Sequence, residues 1–136
     1  MKLGAAGIVN IIESLIKNTS VLDLNLEGNE FGTRGAFIIG EYLRKTKTLQ
    51  NLHIGNNLID TLGIKKFAEG LRFNRTLVSL NLCRFELAYN FLKDEGAEYL
   101  SKIFRTNNSL ESLNLSNFKK QNASFNLMEL KHFLVN

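Results

Sequence analysis

The chain has 136 residues, 44% of them apolar and 22% charged, with a net charge of +4. That is enough for one domain with a real core in a soluble globular balance, and too mild a charge to demand an acidic partner. One cysteine, Cys83, excludes an intramolecular disulfide and points to a reducing compartment, hence a cytoplasmic protein.

The N-terminal stretch MKLGAAGIVNIIESLI imitates a signal peptide, but Asn10 and Glu13 interrupt its apolar run. No apolar run approaches the ~20 residues that span a bilayer, so no membrane association is expected. The same segment opens a repeat. Gly7, Gly35, Gly63 and Gly96 are each followed eight residues on by Leu15, Leu43, Leu71 and Phe104, and fourteen on by Val21, Leu49, Leu77 and Leu110. Three residues further come Leu24, Leu52, Leu80 and Leu113, then Leu26, Ile54, Leu82 and Leu115 after two more. Self-similarity of this kind marks a stack of small units, none of which buries its apolar face alone.

Within each unit the apolar spacing changes. From each glycine it is helical, as in Gly35, Ile38, Ile39, Tyr42 and Leu43, or Gly63, Phe67 and Leu71. Thr33, Thr61 and Asp94 stand two residues before their glycines, where an N-cap is wanted. Asn18, Asn74 and Asn107 stand at the expected helix ends, where a left-handed residue closes the helix. Alternation then predicts parallel strands over Val21–Leu26, Leu49–Ile54, Leu77–Leu82 and Leu110–Leu115.

The pattern resembles the leucine-rich repeat family, in its ribonuclease-inhibitor-like class of 28- or 29-residue repeats. VLDLNLEGN matches the LxxLxLxxN segment at Val21, Leu24, Leu26 and Asn29; LQNLHIGNN matches it at Leu49, Leu52, Ile54 and Asn57. GAFIIGEYL and GAEYLSKIF are similar to the helix of that class. The resemblance spans roughly residues 1–118. It implies an α/β leucine-rich-repeat solenoid over 1–136, with a curved parallel sheet of about four strands inside and about five helices outside. Asn29, Asn57 and Asn90 would form a ladder that satisfies loop backbone groups. The family is defined by its scaffold, so the resemblance implies protein binding, with no enzyme activity, cofactor or metal.

Two places depart from the repeat. Leu77 to Leu110 spans 33 residues instead of 28, and the surplus lies in CRFELAYN. Either the strand is Leu77–Leu82 with a bulge after it, which matches more columns, or Phe85, Leu87 and Asn90 supply its end. Phe118 stands where Asn is expected, and FNLMELKHFLVN reads as a final helix, Phe125–Val135. Neither end carries a polar cap. Three readings follow: bare terminal helices, a piece of a longer array, or an end covered by a partner. Phe133 and Leu134 on the final helix make self-association one such outcome.

Alternation places Asp23, Asn25 and Glu27 on the open face of the first strand. Asn51 and His53 follow on the second, Ser79, Asn81 and Cys83 on the third, and Ser112, Asn114 and Ser116 on the fourth. In the resembled family, this face and its rim loops bind proteins. The insertion adds Arg84, Phe85, Glu86 and Tyr89 at the rim, where a rigid scaffold presents loops for recognition. Glu27, His53 and Cys83 lie diagonally across three strands, with a Cys–His contact just in reach. An open sheet offers no oxyanion donor or pocket, so neither catalysis nor metal binding is expected.

Arg44, Arg72 and Arg105 occupy one column, with Lys45, Lys47 and Arg75 beside it and Lys17 and Lys102 near the same helix ends. The helix macrodipole favours cations there. Phe73 and Phe104 read as helix-core residues, so stacking aromatics are missing, which argues against nucleic acid. Sequons at Asn18, Asn74, Asn107 and Asn122 read mostly as the repeat's helix-end column.

Overall fold

Leu24, Leu52, Leu80 and Leu113 stand opposite one another across a four-stranded parallel sheet. The computed structural model describes residues 1–83 and 94–114. Its elements run α1 (Gly4–Leu15), β1 (Asp23–Asn25), α2 (Gly32–Lys45), β2 (Asn51–His53), α3 (Thr61–Phe73), β3 (Ser79–Asn81), α4 (Asp94–Thr106) and β4 (Ser112–Asn114). The strands lie in sequence order. Each connection between neighbouring strands contains a helix, as parallel pairing requires.

The strands are half as long as the alternation predicts, three residues each. The inter-strand bonding still runs beyond them. Asn51 N–H donates to Leu22 O at 2.9 Å on one side, and Leu26 N–H to His53 O at 2.8 Å on the other. In the long repeat, Ser79–Asn81 pair with Asn51–His53 and with Ser112–Asn114. The strand is therefore the one within Leu77–Leu82, and the register through Phe85 and Leu87 is not used. The insertion and the expected final helix lie outside the described residues.

The leucine columns and the helices' inner faces form one core. Leu49, Leu52, Ile54, Leu77 and Leu82 are inaccessible to solvent, as are Ile39, Leu43, Ile64, Phe67 and Leu71 from α2 and α3. The repeated glycines have a specific use. A Cβ on Gly35 would lie 2.4 Å from the Phe31 ring, and one on Gly63 would lie 2.5 Å from Ile59. Each glycine thus makes room for the buried side chain four residues earlier, which plugs the end of the core.

A second pair of glycines sets helix spacing. A Cβ on Gly70 of α3 would stand 2.1 Å from the Gly40 carbonyl oxygen of α2, and one on Gly40 would stand 2.7 Å from the Lys66 carbonyl oxygen. The backbones of α2 and α3 meet there without intervening side chains.

The helix ends differ from expectation. Thr33 lies inside α2, whose N-cap position is Phe31 without a side-chain bond. Thr61 is the first residue of α3, and Asp60 is its cap, with Oδ1 accepting from Gly63 N–H at 2.8 Å. An Asp in extended conformation one residue before Thr61 has better reach to the free amides of the first turn. At the other end, Asn74 has φ −74° and ψ 139°, extended rather than left-handed.

Candidate functional site

The asparagines at the helix ends act through their side chains. Asn74 Oδ1 accepts from Thr76 N–H (3.0 Å) and Leu77 N–H (2.8 Å), turning the chain into the strand. Its Nδ2 donates at 2.9 Å to Leu43 O, at the end of the preceding helix. Asn107 repeats this, accepting from Ser109 and Leu110 N–H and donating to Leu71 O at 2.9 Å. Asn18 makes the same turn with Ser20 and Val21. Thr46 replaces Asn in the second copy and only accepts, from Thr48 and Leu49. With Asn74 and Asn107 buried and their amide nitrogens engaged, two of the sequons are structural positions.

The expected ladder on the opposite rim is present for Asn29 and Asn57. Asn57 Nδ2 donates to Leu26 O, Ile54 O and Gly55 O at 2.8–3.0 Å, and its Oδ1 accepts from Asn29 N–H at 2.8 Å. Asn29 in turn donates to Leu26 O and Glu27 O. The bonds hold an unusual loop. Gly28 and Asn56 precede the two asparagines with positive φ, and Glu30 and Leu58 follow them with φ of 51° and 57°. A side-chain-bearing residue in that region costs ~1–2 kcal/mol, and the ladder offsets it. Asn90 lies outside the described residues.

These rims frame the open sheet face. Asp23, Asn25, Ser112 and Asn114 are exposed there; Glu27, Asn51, His53, Ser79, Asn81 and Cys83 are half-buried. Neighbouring strands couple through their side chains. Asn51 Nδ2 donates to Asp23 Oδ1, and Asn81 Nδ2 meets His53 Nδ1 at 3.3 Å. The Cys83 thiol faces the Glu27 carboxylate at 3.7 Å, and His53 meets Asn81. The reason lies at Gly55 between them. A Cβ there would come 2.2 Å from Cys83 O, so the missing side chain lets strands one and three communicate across strand two. Among the described residues, no three His, Cys, Asp or Glu side chains gather into a metal-holding group. Ser116 and the rim residues Arg84, Phe85, Glu86 and Tyr89 lie outside the described residues.

A thiol–carboxylate contact at this distance is weak, so Cys83→Ser should change stability by less than about 0.5 kcal/mol. Thermal unfolding checks this. Calorimetric titration with zinc should show no stoichiometric uptake; uptake lost in both Cys83→Ser and His53→Ala would establish a metal site.

The basic column divides. Arg75 behaves as the macrodipole predicts, with Nη1 donating to Arg72 O and Asn74 O at 2.9 and 3.0 Å. Arg44 and Arg72 do something else. Their guanidinium carbons lie 4.6 and 5.7 Å from the centroid of the Phe73 ring. Phe73 is 51% exposed, not a core residue. Its own column holds the clue, since Lys17, Lys45 and Thr106 occupy it in the other copies.

The four stacked strand–helix units, the glycines that seat the core plugs and the asparagine ladder together make a repeat architecture. A leucine-rich repeat model matches residues 17–39. The chain has a leucine-rich repeat fold. Two solved structures share its repeat architecture. Leiomodin-1 actin-binding site 2 aligns with a TM-score of 0.78 at 20% identity, over 99% of this chain and 75% of that one. The Caenorhabditis elegans tropomodulin C-terminal domain aligns with a TM-score of 0.76 at 13% identity, over 99% and 78%. Identities this low carry the fold of these repeats alone. No curated protein matches by sequence. No helix among the described residues of this leucine-rich repeat chain is long and apolar enough to cross a membrane.

Proposed function

We propose that the chain is a non-enzymatic protein-interaction scaffold of the cytoplasm, built on ribonuclease-inhibitor-like repeats. In this reading a partner protein lies against the open sheet face, from Asp23, Asn25 and Glu27 through Asn51, His53, Ser79, Asn81 and Cys83 to Ser112, Asn114 and Ser116, with Arg84, Phe85, Glu86 and Tyr89 at the rim. The supporting observation is the set of side-chain bonds between strands, Asp23–Asn51, His53–Asn81 and Glu27–Cys83. They fix polar side chains before any partner arrives, which lowers the ordering cost of binding. The test is to replace Asn51 and His53 together with Arg and Glu and measure partner co-purification. Partner loss with an unchanged unfolding midpoint is expected. Retention of every partner would sink the sheet-face reading.

A second reading is a structural subunit of a cytoskeletal assembly. It is favoured by the likeness to a domain described as an actin-binding site. Co-sedimentation with actin filaments tests it directly: binding that survives the Asn51 and His53 substitutions supports this reading, and failure to sediment removes actin as the partner.

A further inference from the structure

His53 breaks a column of asparagines on the open sheet face. It stands opposite Asn25 on β1 and Asn81 on β3, and Asn81 stands opposite Asn114 on β4. Asn25 and Asn81 share one local bond. Asn25 Oδ1 accepts from Glu27 N–H at 3.0 Å, and Asn81 Oδ1 accepts from Cys83 N–H at 2.9 Å. A backbone N–H can only donate, so each bond fixes which end of the side-chain amide is oxygen and leaves the NH2 group for other partners.

At Asn81 that orientation decides the state of its neighbour. Its Nδ2 meets His53 Nδ1 at 3.3 Å. An amide NH2 donates and does not accept, so His53 Nδ1 is the acceptor and carries no proton. In the neutral ring the proton is then on Nε2, because the bond made by one ring nitrogen sets the tautomer of the other. Flipping the Asn81 amide does not free the ring, since it would turn the NH2 group against Cys83 N–H. Among the described residues, His53 Nε2 has no hydrogen-bond partner, and neither has Asn25 Nδ2. Asn81 Nδ2 keeps the second of its hydrogens. The middle row of the face, Asn25, His53 and Asn81, thus offers N–H groups on strands about 4.8 Å apart.

We infer that Asn81 positions His53 as a fixed Nε2–H donor, and that this row of the sheet face recognises acceptor oxygens on a partner protein. An imidazole without such a lock adapts, donating or accepting as its partner requires. Held as a donor, it rejects a partner that brings an N–H to the same place, because two donors would then meet unpaired. The recognition half of the inference rests on the sheet-face reading; the state of the ring does not.

The test is nitrogen-15 NMR of the full chain at about pH 8, above the range in which histidine ordinarily titrates. The chain has two histidines, and His132→Gln assigns their signals. In the wild-type protein His53 Nδ1 should be bare and Nε2 protonated, with Overhauser contacts from the Asn81 NH2 protons to the ring. Asn81→Asp is the decisive variant. A carboxylate still accepts from Cys83 N–H but brings no donor to the ring, so His53 Nδ1 should gain a proton. A protonated Nδ1 in the wild type overturns the inference, as does averaging between tautomers or the absence of the Asn81 contacts. So does an Nδ1 that stays bare in folded Asn81→Asp; should that variant not fold, the wild-type signals still decide. Recognition is read by comparing His53→Gln with His53→Glu in the co-purification experiment, with unfolding midpoints as the control. Gln brings an N–H close to the place of Nε2 and should hold the partner, whereas Glu brings oxygen alone and should lose it. Retention by His53→Glu, or equal loss in both folded variants, overturns the donor role. Retention of every partner by the Asn51 and His53 double substitution is a different failure: it removes the sheet face, while the ring signals still report whether Asn81 holds His53.

Discussion

Leu52→Asp should abolish the cooperative unfolding transition. Leu52 is fully buried in β2, flanked by Leu24 on β1 and Leu80 on β3. A carboxylate there has no counter-ion among these leucines and cannot reach water without opening the sheet. The cost of leaving a charge unpaired in such a site exceeds the ~5–15 kcal/mol that holds a whole domain together, unless the group neutralises or the fold opens. Leu52→Ala provides the graded control. It removes apolar contact without charge and should cost ~2–5 kcal/mol, with a lower urea midpoint and a transition that remains single. Circular dichroism against urea reads both. A Leu52→Asp protein with a wild-type transition would mean that the leucine columns do not face one another.

Asn57→Ala should destabilise by about 3 kcal/mol or more. The side chain is 1% exposed and serves three carbonyls and one amide. Each buried polar group left without a partner costs ~1–3 kcal/mol. The loss also releases the loop in which Asn56 and Leu58 are held at positive φ. Asn29→Ala should cost less, because Asn29 is less buried and makes two Nδ2 donations, to Leu26 O and Glu27 O. The ordering is the sharp part of the prediction. Equal losses in urea denaturation would show that the ladder is decorative and that the core alone sets the loop.

The repeat was readable because it is a matter of spacing. Columns of leucine fixed which residues pair, and the 33-residue interval placed its surplus after Leu82, as the pairing of Ser79 with Asn51 requires. Roles that depend on contacts between repeats were harder to see. Asn74 bonds to Leu43 O, 31 residues away, and no local rule for ending a helix anticipates that. The cap of α3 fell on Asp60 instead of Thr61 because the column before it is not periodic: Gly4 and Gly32 occupy it elsewhere, both with positive φ. Phe73 was misassigned by its apolar character, although its column is otherwise polar. The close approach of Gly40 to Gly70 was harder to read, because the two do not share a column and only the packing of neighbouring helices shows that they meet.

The Asn74 and Asn107 bonds also bear on how the chain is made. Each runs backward, from the turn of one repeat to the last helical carbonyls of the repeat before it. During synthesis the N-terminal repeat emerges first. When α2 leaves the ribosome, Leu43 O still waits for an amide that will be translated 31 residues later. α3 waits likewise for Asn107, now 36 residues beyond Leu71 because the insertion intervenes. Every helix so tied is completed by its successor, and the folding front trails the growing chain by one unit. The delay is longest at the repeat that carries the extra five residues.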